Sequence, residues 1–172
     1  MFDKFFPDRY VASTYVIDFE GLYKEGVRGL IFDIDNTLVP HGAPADERAR
    51  ALFKRLKSIG FRCCLISNNQ KPRVEMFNKD IQVDYVYNAH KPSIRNYLKA
   101  MEIMGTDRDS TVFIGDQLFT DVWGEKRAGI PNILVKPIHP KEEIQIVLKR
   151  YLEKIVLHFY KKSLQCEKKV EK

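Results

Sequence analysis

The most informative segment of this chain reads Gly29-Leu30-Ile31-Phe32-Asp33-Ile34-Asp35-Asn36-Thr37. Its first four residues form an apolar run, which is typical of a buried strand. Two aspartates follow, and acidic groups at the end of a buried strand are costly unless their charge is compensated. A bound cation would compensate them. The segment therefore predicts a strand that ends in a metal-dependent phosphoryl-transfer site.

The rest of the chain alternates between strand and helix patterns. Apolar runs predict further strands at residues 62–66, 85–87, 111–114 and 132–135. Helices are predicted to begin near Pro44, Pro72, Lys91 and Asp121. Such alternation is typical of a parallel sheet with helices on both faces. We predict an α/β fold, a three-layer Rossmann-like sandwich around a central parallel sheet of about five strands, without a large cap domain.

Two of the predicted helices have a well-defined apolar face. The helix that ends at Gly60 has an apolar face formed by Ala49, Leu52, Phe53 and Leu56. The helix that ends at Gly105 is predicted to have four residues that point inward, Ile94, Tyr97, Leu98 and Met101. A further helix is predicted from about Asp121 to Ala128.

Polar residues follow three of the predicted strands. Asp33, Ser67 and Asp116 each lie at the C-terminal end of a different strand, and Lys91 lies at a loop-to-helix junction. Each of them alone would more often be a turn residue, a helix cap or a solvated lysine. Ligands of parallel α/β sheets bind outside the carboxyl ends of the strands. We therefore expect the four side chains to lie in one crevice.

In this order and strand context, the residues resemble the four motifs of the haloacid dehalogenase-like phosphohydrolases. The motifs are Asp33-Ile34-Asp35-Asn36-Thr37, Ser67, Lys91, and Gly115-Asp116 with Asp121. The resemblance covers roughly residues 29 to 135. It implies the core fold of this family and a hydrolase that cleaves phosphoric monoesters.

The resemblance also implies catalytic and metal-binding roles. Asp33 is expected to attack phosphorus and become an aspartyl-phosphate. Asp35 is expected to protonate the leaving oxygen and later to take a proton from water. Mg²⁺ is the expected cofactor, held by Asp33, Asp116 and the main-chain carbonyl of Asp35. Asp121 is expected to join the metal through water or to brace the loop.

The same resemblance implies a set of substrate-binding residues. The hydroxyl of Ser67 and the ammonium of Lys91 are expected to hold the phosphoryl oxygens. Backbone amides around Asn68 are expected to add to this site. Thr37 is placed in the same set, where it holds the loop or hydrogen-bonds Asp35.

More closely, the chain is similar to the class IIIA branch, the YqeG-type proteins, which are similar to phosphatidylglycerophosphate phosphatases. The residues that carry this similarity are Pro7-Asp8-Arg9-Tyr10-Val11, residues 29–40, Ser67-Asn68-Asn69, Ala89-His90-Lys91-Pro92 and residues 115–121. It implies dephosphorylation of a glycerophospholipid headgroup at a membrane surface. The alternatives are a phosphatase for a phosphoprotein or another large phosphorylated partner, and a non-catalytic binding module.

The 172 residues fit one domain, with no repeat or long linker. We expect a lead-in at residues 1–28 packed on or beside the core, a phosphatase core at 29–140, and a C-terminal amphipathic helix with a basic tail at 141–172. A short strand is predicted near Tyr15 to Ile17.

Only short segments separate the motifs, so the predicted crevice is open. An open crevice suits a phosphate carried by a large body.

Charge also favours an anionic partner. The net charge is +6, and residues 141–172 hold nine Lys/Arg against five Asp/Glu. The same segment carries an apolar stripe of Ile144, Leu148, Tyr151, Leu152, Ile155 and Phe159. Packing of this stripe on the sheet is the preferred interpretation, and peripheral contact with anionic lipid is the alternative. We see no nucleic-acid motif.

The expected location is the cytoplasm, with the inner face of the membrane as a site of peripheral contact. No apolar run approaches the roughly 20 residues that cross a bilayer. The N-terminus is too short and too acidic for a signal peptide. Three cysteines without a metal-ligand spacing favour a reducing compartment.

Overall fold

A computed structural model of the chain describes residues 5–139 and 144–170, with side chains at 5–139 and 150–165. Its strands are β1 (Arg9–Val11), β2 (Gly29–Phe32), β3 (Arg62–Ile66), β4 (Asp84–Val86), β5 (Thr111–Gly115) and β6 (Asn132–Val135). They form one parallel sheet in the order β1-β6-β5-β2-β3-β4. Its helices are α1 (Phe19–Lys24), α2 (Glu47–Ile59), α3 (Lys71–Asn78), α4 (Arg95–Met104), α5 (Trp123–Ala128) and α6 (Ile144–Val170). The predicted α/β fold with a parallel sheet is confirmed.

Alternate residues of the central strand β2 face opposite helix layers, as the period of a strand requires. Phe32 packs with Phe19 of α1 and Phe53 of α2, at ring-centroid distances of 6.4 and 5.2 Å. Ile31 belongs instead to a second apolar cluster that contains Tyr97 of α4. Both faces of the sheet are therefore covered, which gives the three-layer sandwich.

The structure adds an edge strand, β1, to the five predicted strands. It pairs with β6, and the backbone N–H of Asn132 donates to Asp8 Oδ2 at 2.9 Å beside the pair. The strand predicted near Tyr15 to Ile17 is wrong, because Thr14–Val16 forms a short 3-10 helix. β1 is exposed or half-buried at all three residues, so it lacks the buried apolar run by which the other strands were predicted.

α2 begins three residues after the predicted start at Pro44, and α4 begins four residues after the predicted start at Lys91. Asp46 accepts a backbone N–H of the first turn of α2 at 2.7 Å, and Gly60 ends the helix with a φ of 111°. In α4, Tyr97 and Met101 are buried as expected, whereas the predicted inward placement of Leu98 is wrong because its side chain is 37% exposed. Leu98 follows Tyr97 by one position, which turns its side chain towards the edge of the buried face.

A π-helical turn, Leu118–Val122, connects β5 to α5. The helix predicted over residues 121–128 is therefore an α-helix only from Trp123 onward. The turn buries Asp121 against Gly115, where an added Cβ atom would lie 2.4 Å from Asp121 Oδ2. Gly115, the last residue of β5, thus allows the carboxylate of Asp121 to approach the strand end.

α6 packs on β6 and the π-helical turn through one face, which contains Glu153, Val156 and Tyr160. The predicted packing of the apolar stripe is wrong for Tyr151, Leu152, Ile155 and Phe159, which are exposed. These residues lie on the side of α6 that is turned away from its buried face. The side chains of Ile144 and Leu148 lie outside the described residues. Within the part of the chain that the structure describes, no helix is both long and apolar enough to span a membrane.

Candidate active site

The predicted site residues follow three neighbouring strands. Asp33 comes directly after β2, Ser67 after β3 and Asp116 after β5, and β2 lies between the other two. The backbone N–H of Asp33 donates to the carbonyl of Ile114 at 3.0 Å, which extends the ladder to the start of the site. Lys91 joins them from the loop between β4 and α4.

Asp33, Asp116 and Asp121 form a buried acidic cluster. Each offers a carboxylate oxygen, and these oxygens lie within 4.8 Å of one another. Burial raises the pKa of Asp33 to about 6, and burial followed by the charge of Asp33 raises the pKa of Asp116 well above its usual range. A divalent cation would offset this unfavourable charge, and oxygen ligands suit Mg²⁺. The residues of the acidic cluster therefore fit a metal site.

Lys91 places a positive charge inside the acidic cluster. Its ammonium donates to Asp33 Oδ1 at 2.6 Å and to Asp121 Oδ1 at 2.7 Å, and its side chain is 4% exposed. Burial alone would lower the pKa of Lys91, but the charges of Asp121 and Asp33 outweigh burial and raise that pKa. The two carboxylates therefore favour the charged form of Lys91.

The carboxylate of Asp35 is turned towards a different set of partners. Its Oδ1 accepts the backbone N–H of Gly42 at 2.7 Å and Nη2 of Arg73 at 2.8 Å. Its Oδ2 accepts Nδ2 of Asn69 at 2.6 Å. The two predicted catalytic carboxylates therefore have separate hydrogen-bond environments. Arg73 lies in α3 and belongs to no motif that the sequence analysis recognised.

The other predicted substrate-binding residues connect the loops around the acidic cluster. Ser67 Oγ accepts the backbone N–H and Nδ2 of Asn69 at 3.1 and 3.0 Å. Asn68 Oδ1 accepts the backbone N–H of Lys91 at 2.7 Å, which ties the loop after β3 to the lysine. The hydroxyl of Thr37 donates to Asp116 Oδ1 at 3.1 Å rather than to Asp35.

Arg150 of α6 also reaches the site. Its guanidinium hydrogen-bonds the carboxylate of Asp116, and its Nη1 donates to the Asp116 carbonyl at 2.5 Å and to Glu153 at 2.9 Å. Glu153 in turn accepts the backbone N–H of Leu118 at 2.8 Å. In the sequence Arg150 is one of several basic residues of the tail, because nothing in a lysine-rich helix distinguishes an inward arginine from a solvated one.

Glu125 is a further acidic residue beside the acidic cluster. It lies one helical turn after Asp121, is fully buried, and neither carboxylate oxygen has a hydrogen-bond partner among the described residues. Burial, followed by the charge of Asp121, raises the pKa of Glu125 well above its usual range. Burial of this kind cannot be recognised from the sequence of a six-residue helix.

Sequence comparisons show which known proteins this chain is similar to. A family model for haloacid dehalogenase-like hydrolases matches residues 41–129, about half of the chain. Probable phosphatase YqeG of Bacillus subtilis (strain 168) is 35% identical over 165 residues, which cover 95% of this chain and 96% of that protein. Phosphatidylglycerophosphate phosphatase 1, chloroplastic/mitochondrial, of Arabidopsis thaliana is 25% identical over 92% of this chain and 48% of that protein.

Solved structures agree on the fold. A Legionella pneumophila protein described as a HAD superfamily (subfamily III A) hydrolase has a TM-score of 0.52 at 20% identity, over 70% of this chain and 71% of that chain. Hypothetical protein XCC2798 of Xanthomonas campestris has a TM-score of 0.52 at 19% identity, over 76% and 77%. Identities this low show the fold alone, whereas the family model and the YqeG match show more. The chain belongs to the haloacid dehalogenase-like hydrolase family, as one of its phosphatases.

Proposed function

We propose that this phosphatase is a Mg²⁺-dependent phosphomonoester hydrolase that forms an aspartyl-phosphate and dephosphorylates phosphatidylglycerophosphate at a membrane surface. The observation that carries the proposed chemistry is the contact between Lys91 and the acidic cluster. It combines carboxylates that suit a metal with a fixed positive charge that suits phosphate.

Asp33 is the proposed nucleophile. One of its carboxylate oxygens attacks phosphorus as the bond from phosphorus to the leaving oxygen breaks, so the phosphoryl group passes to Asp33. Water then attacks the aspartyl-phosphate, which releases inorganic phosphate and restores the carboxylate. The ammonium of Lys91, 2.6 Å from Asp33 in the structure, stabilises negative charge on the phosphoryl oxygens in both steps.

Asp35 is the proposed general acid and base. It protonates the leaving oxygen in the first step and accepts a proton from the attacking water in the second. Its contacts with Arg73 and Asn69 fix its position two residues beyond the nucleophile. Proton transfer requires that the carboxylate turns from these partners towards the leaving oxygen.

The remaining site residues bind phosphate or metal in this proposal. Ser67 and the segment around Asn68 hold phosphoryl oxygens beside Lys91, and Thr37 fixes the carboxylate of Asp116. The side chains of Asp33, Asp116 and Asp121, together with the main-chain carbonyl of Asp35, are the proposed ligands of Mg²⁺. The ion reduces repulsion between the attacking carboxylate and the phosphate.

Two observations support a lipid phosphate as substrate. The similarity to phosphatidylglycerophosphate phosphatase 1 of Arabidopsis thaliana spans 92% of this chain. Between β2 and α2, and again between β3 and β4, the described residues hold no inserted domain that could enclose a small molecule. A phosphoprotein is the second candidate, because the same openness admits it, and a non-catalytic module is the third.

The proposed chemistry is tested with a generic aryl phosphate and Mg²⁺. Asp33→Asn keeps the shape of the side chain but removes the nucleophilic charge, so we expect kcat to fall by about 10³-fold or more. Asp84→Asn, in the edge strand β4, is the matched control and should keep wild-type activity. Full activity in Asp33→Asn would contradict the assigned nucleophile, and full activity after chelation of divalent ions would contradict the metal.

The proposed substrate is tested separately. Phosphate release from phosphatidylglycerophosphate in mixed micelles is compared with release from soluble sugar phosphates and nucleotides at equal phosphate concentration. We expect a higher kcat/KM for the lipid. A higher value for the soluble compounds or for a phosphopeptide would contradict the lipid assignment and leave the aspartyl-phosphate chemistry intact.

A further inference from the structure

Arg73 places a largely buried cation beside the proposed general acid. Its Nη2 donates to Asp35 Oδ1 at 2.8 Å, and its side chain is 14% exposed. Arg73 lies in the first turn of α3, and Val74 and Phe77 of the same helix are fully buried in the core. The packing of α3 therefore fixes the position of this guanidinium at the edge of the site.

Most of the hydrogen-bond donors of Arg73 have no acceptor. A guanidinium has five N–H donors. Among the described residues, Nε and Nη1 are buried without a hydrogen-bond partner, and the acceptor of Nη2 is Asp35. Buried donors that stay unpaired are costly, and charged donors more so than neutral ones. Within the described part of the chain, Asp35 is thus the single acceptor of this cation.

The proposed reaction removes this acceptor from Arg73. To act as general acid, Asp35 must turn towards the leaving oxygen, because its carboxylate is held by Gly42, Asn69 and Arg73. Arg73 would then lose its ionic partner in a largely buried position, which opposes the turn unless another anion replaces the carboxylate. A substrate that brings an anionic oxygen to Arg73 would therefore release Asp35 for proton transfer.

The position of Arg73 indicates which part of the substrate carries this anion. The ammonium of Lys91 contacts Asp33 and Asp121, so it serves the phosphoryl group in transfer. Arg73 contacts Asp35, the residue that acts on the leaving oxygen, and within the described residues it has no hydrogen bond to the acidic cluster. The anion that replaces Asp35 at Arg73 therefore belongs to the leaving group.

We propose that Arg73 binds a phosphodiester in the leaving group and thereby determines substrate specificity. This inference rests on the proposed function and extends it, since phosphatidylglycerophosphate carries a phosphodiester on the same glycerol as its phosphomonoester. The planar guanidinium suits two oxygens of one phosphate group. Replacement of Asp35 by the phosphodiester couples recognition of the substrate to release of the general acid.

The experiment compares two soluble glycerol monophosphates that differ in one substituent. One carries a methyl phosphodiester on the far hydroxyl of the glycerol, and the other carries a methyl ether there. With Mg²⁺, the wild type should have a kcat/KM about tenfold or more higher for the phosphodiester compound. Arg73→Gln should lower kcat/KM for both compounds, because Asp35 loses a partner, and should abolish the preference. Arg73→Lys keeps the charge without the planar fork, so its preference should lie between these two.

Two further variants are the controls. Arg108→Gln removes an exposed arginine from the loop before β5, at the opposite edge of the sheet, and should keep the wild-type preference. His41→Gln tests a second basic side chain near Asp35, because Nδ1 of His41 lies 3.8 Å from Asp35 Oδ1. The side chain of His41 is 49% exposed and lies beyond hydrogen-bond distance, so this variant should also keep the preference.

Three results would overturn the role of Arg73. They are equal kcat/KM of the wild type for the two compounds, an unchanged preference in a folded Arg73 variant, and loss of the preference in His41→Gln. Arg73→Lys decides the test where Arg73→Gln does not fold. Equal hydrolysis of both compounds would leave the aspartyl-phosphate chemistry intact, whereas hydrolysis of neither compound, nor of an aryl phosphate, would overturn the proposed function as well.

Discussion

At the scale of single residues, the site has an imbalance of charge. Three carboxylates of the acidic cluster share two nearby cationic side chains, Lys91 and Arg150. Carboxylates that outnumber their cationic partners in a buried site favour either protonation or a bound cation. Burial is the largest cause that raises the pKa of Asp33 to about 6, and the charge of Asp121 adds to it while Lys91 opposes it.

Glu125 gives a prediction for stability against pH. Burial raises its folded-state pKa above the ordinary value of 4.5, so the unfolded chain loses this proton at a lower pH than the folded chain. The stability that depends on Glu125 is therefore full below about pH 4.5 and is lost as pH rises towards the folded-state pKa. We expect Glu125→Gln to raise the free energy of unfolding at pH 7, because the neutral amide avoids the cost of ionising a buried carboxyl.

Urea unfolding between pH 5 and pH 8 checks this expectation. The gain in Glu125→Gln should shrink towards pH 5, because both proteins then carry a neutral side chain. Glu102→Gln, at an exposed position of α4, is the control and should change stability little. A pH-independent gain, or none, would show that Glu125 is not the titrating group.

The convergence of four site residues could be predicted from the sequence, and their partners could not. Asp33, Ser67 and Asp116 follow apolar runs, and strand ends of a parallel sheet share one edge. Arg73 and Arg150 lie on helices, where an arginine that binds a carboxylate looks like one that faces water. Their contacts with Asp35 and Asp116 depend on how the helices pack on the sheet.

At the scale of elements, α6 is tied to the site by Arg150, and this tie affects metal binding. A guanidinium on the carboxylate of Asp116 opposes the approach of a cation to the same group. We expect Arg150→Ala to lower the Mg²⁺ concentration for half-maximal activity by about fivefold, which corresponds to about 1 kcal/mol. Arg150→Lys keeps the charge and should stay close to wild type.

Mg²⁺ titration of aryl phosphate hydrolysis measures this effect. Lys154→Ala removes a positive charge from the exposed side of the same helix and serves as the control. If Arg150→Ala instead requires more Mg²⁺ than wild type, Arg150 acts mainly by positioning Asp116, and the electrostatic explanation is wrong.

The bounds of strands that are buried on both faces could be predicted from the sequence, whereas the edge strand β1 could not be predicted. β3 and β6 have the predicted bounds, Arg62–Ile66 and Asn132–Val135, because continuous apolar runs mark strands covered by helices. β1 has three residues that are exposed or half-buried, so it lacks such a run. The π-helical turn could not be predicted from the sequence either, since it depends on how closely Asp121 packs against Gly115.

At the scale of the whole molecule, the proposed metal site in the acidic cluster should link Mg²⁺ binding to stability. A ligand that binds only the folded state stabilises it by about 2.7 kcal/mol at a hundredfold excess over Kd. For a chain of this size we expect Mg²⁺ to raise Tm by about 5 to 10 °C. Asp116→Asn removes a proposed ligand and should remove most of this shift.

Thermal unfolding with and without Mg²⁺ tests the link. Asp84→Asn is again the control and should keep the wild-type shift. An equal Mg²⁺ shift in wild type and Asp116→Asn would mean that the ion binds elsewhere on the protein.

The pairing of β1 with β6 has a consequence for biosynthesis. Asp8 and Asn132, which hydrogen-bond beside this pair, are 124 residues apart. On the ribosome, Arg9–Val11 emerges early, but its partner strand follows only after nearly all other strands have been translated. Until then its backbone N–H and carbonyl groups are available to other nascent chains, as at any unprotected strand edge. Translation pauses before β6 has left the ribosome should therefore favour aggregation, whereas pauses after β6 has emerged should not.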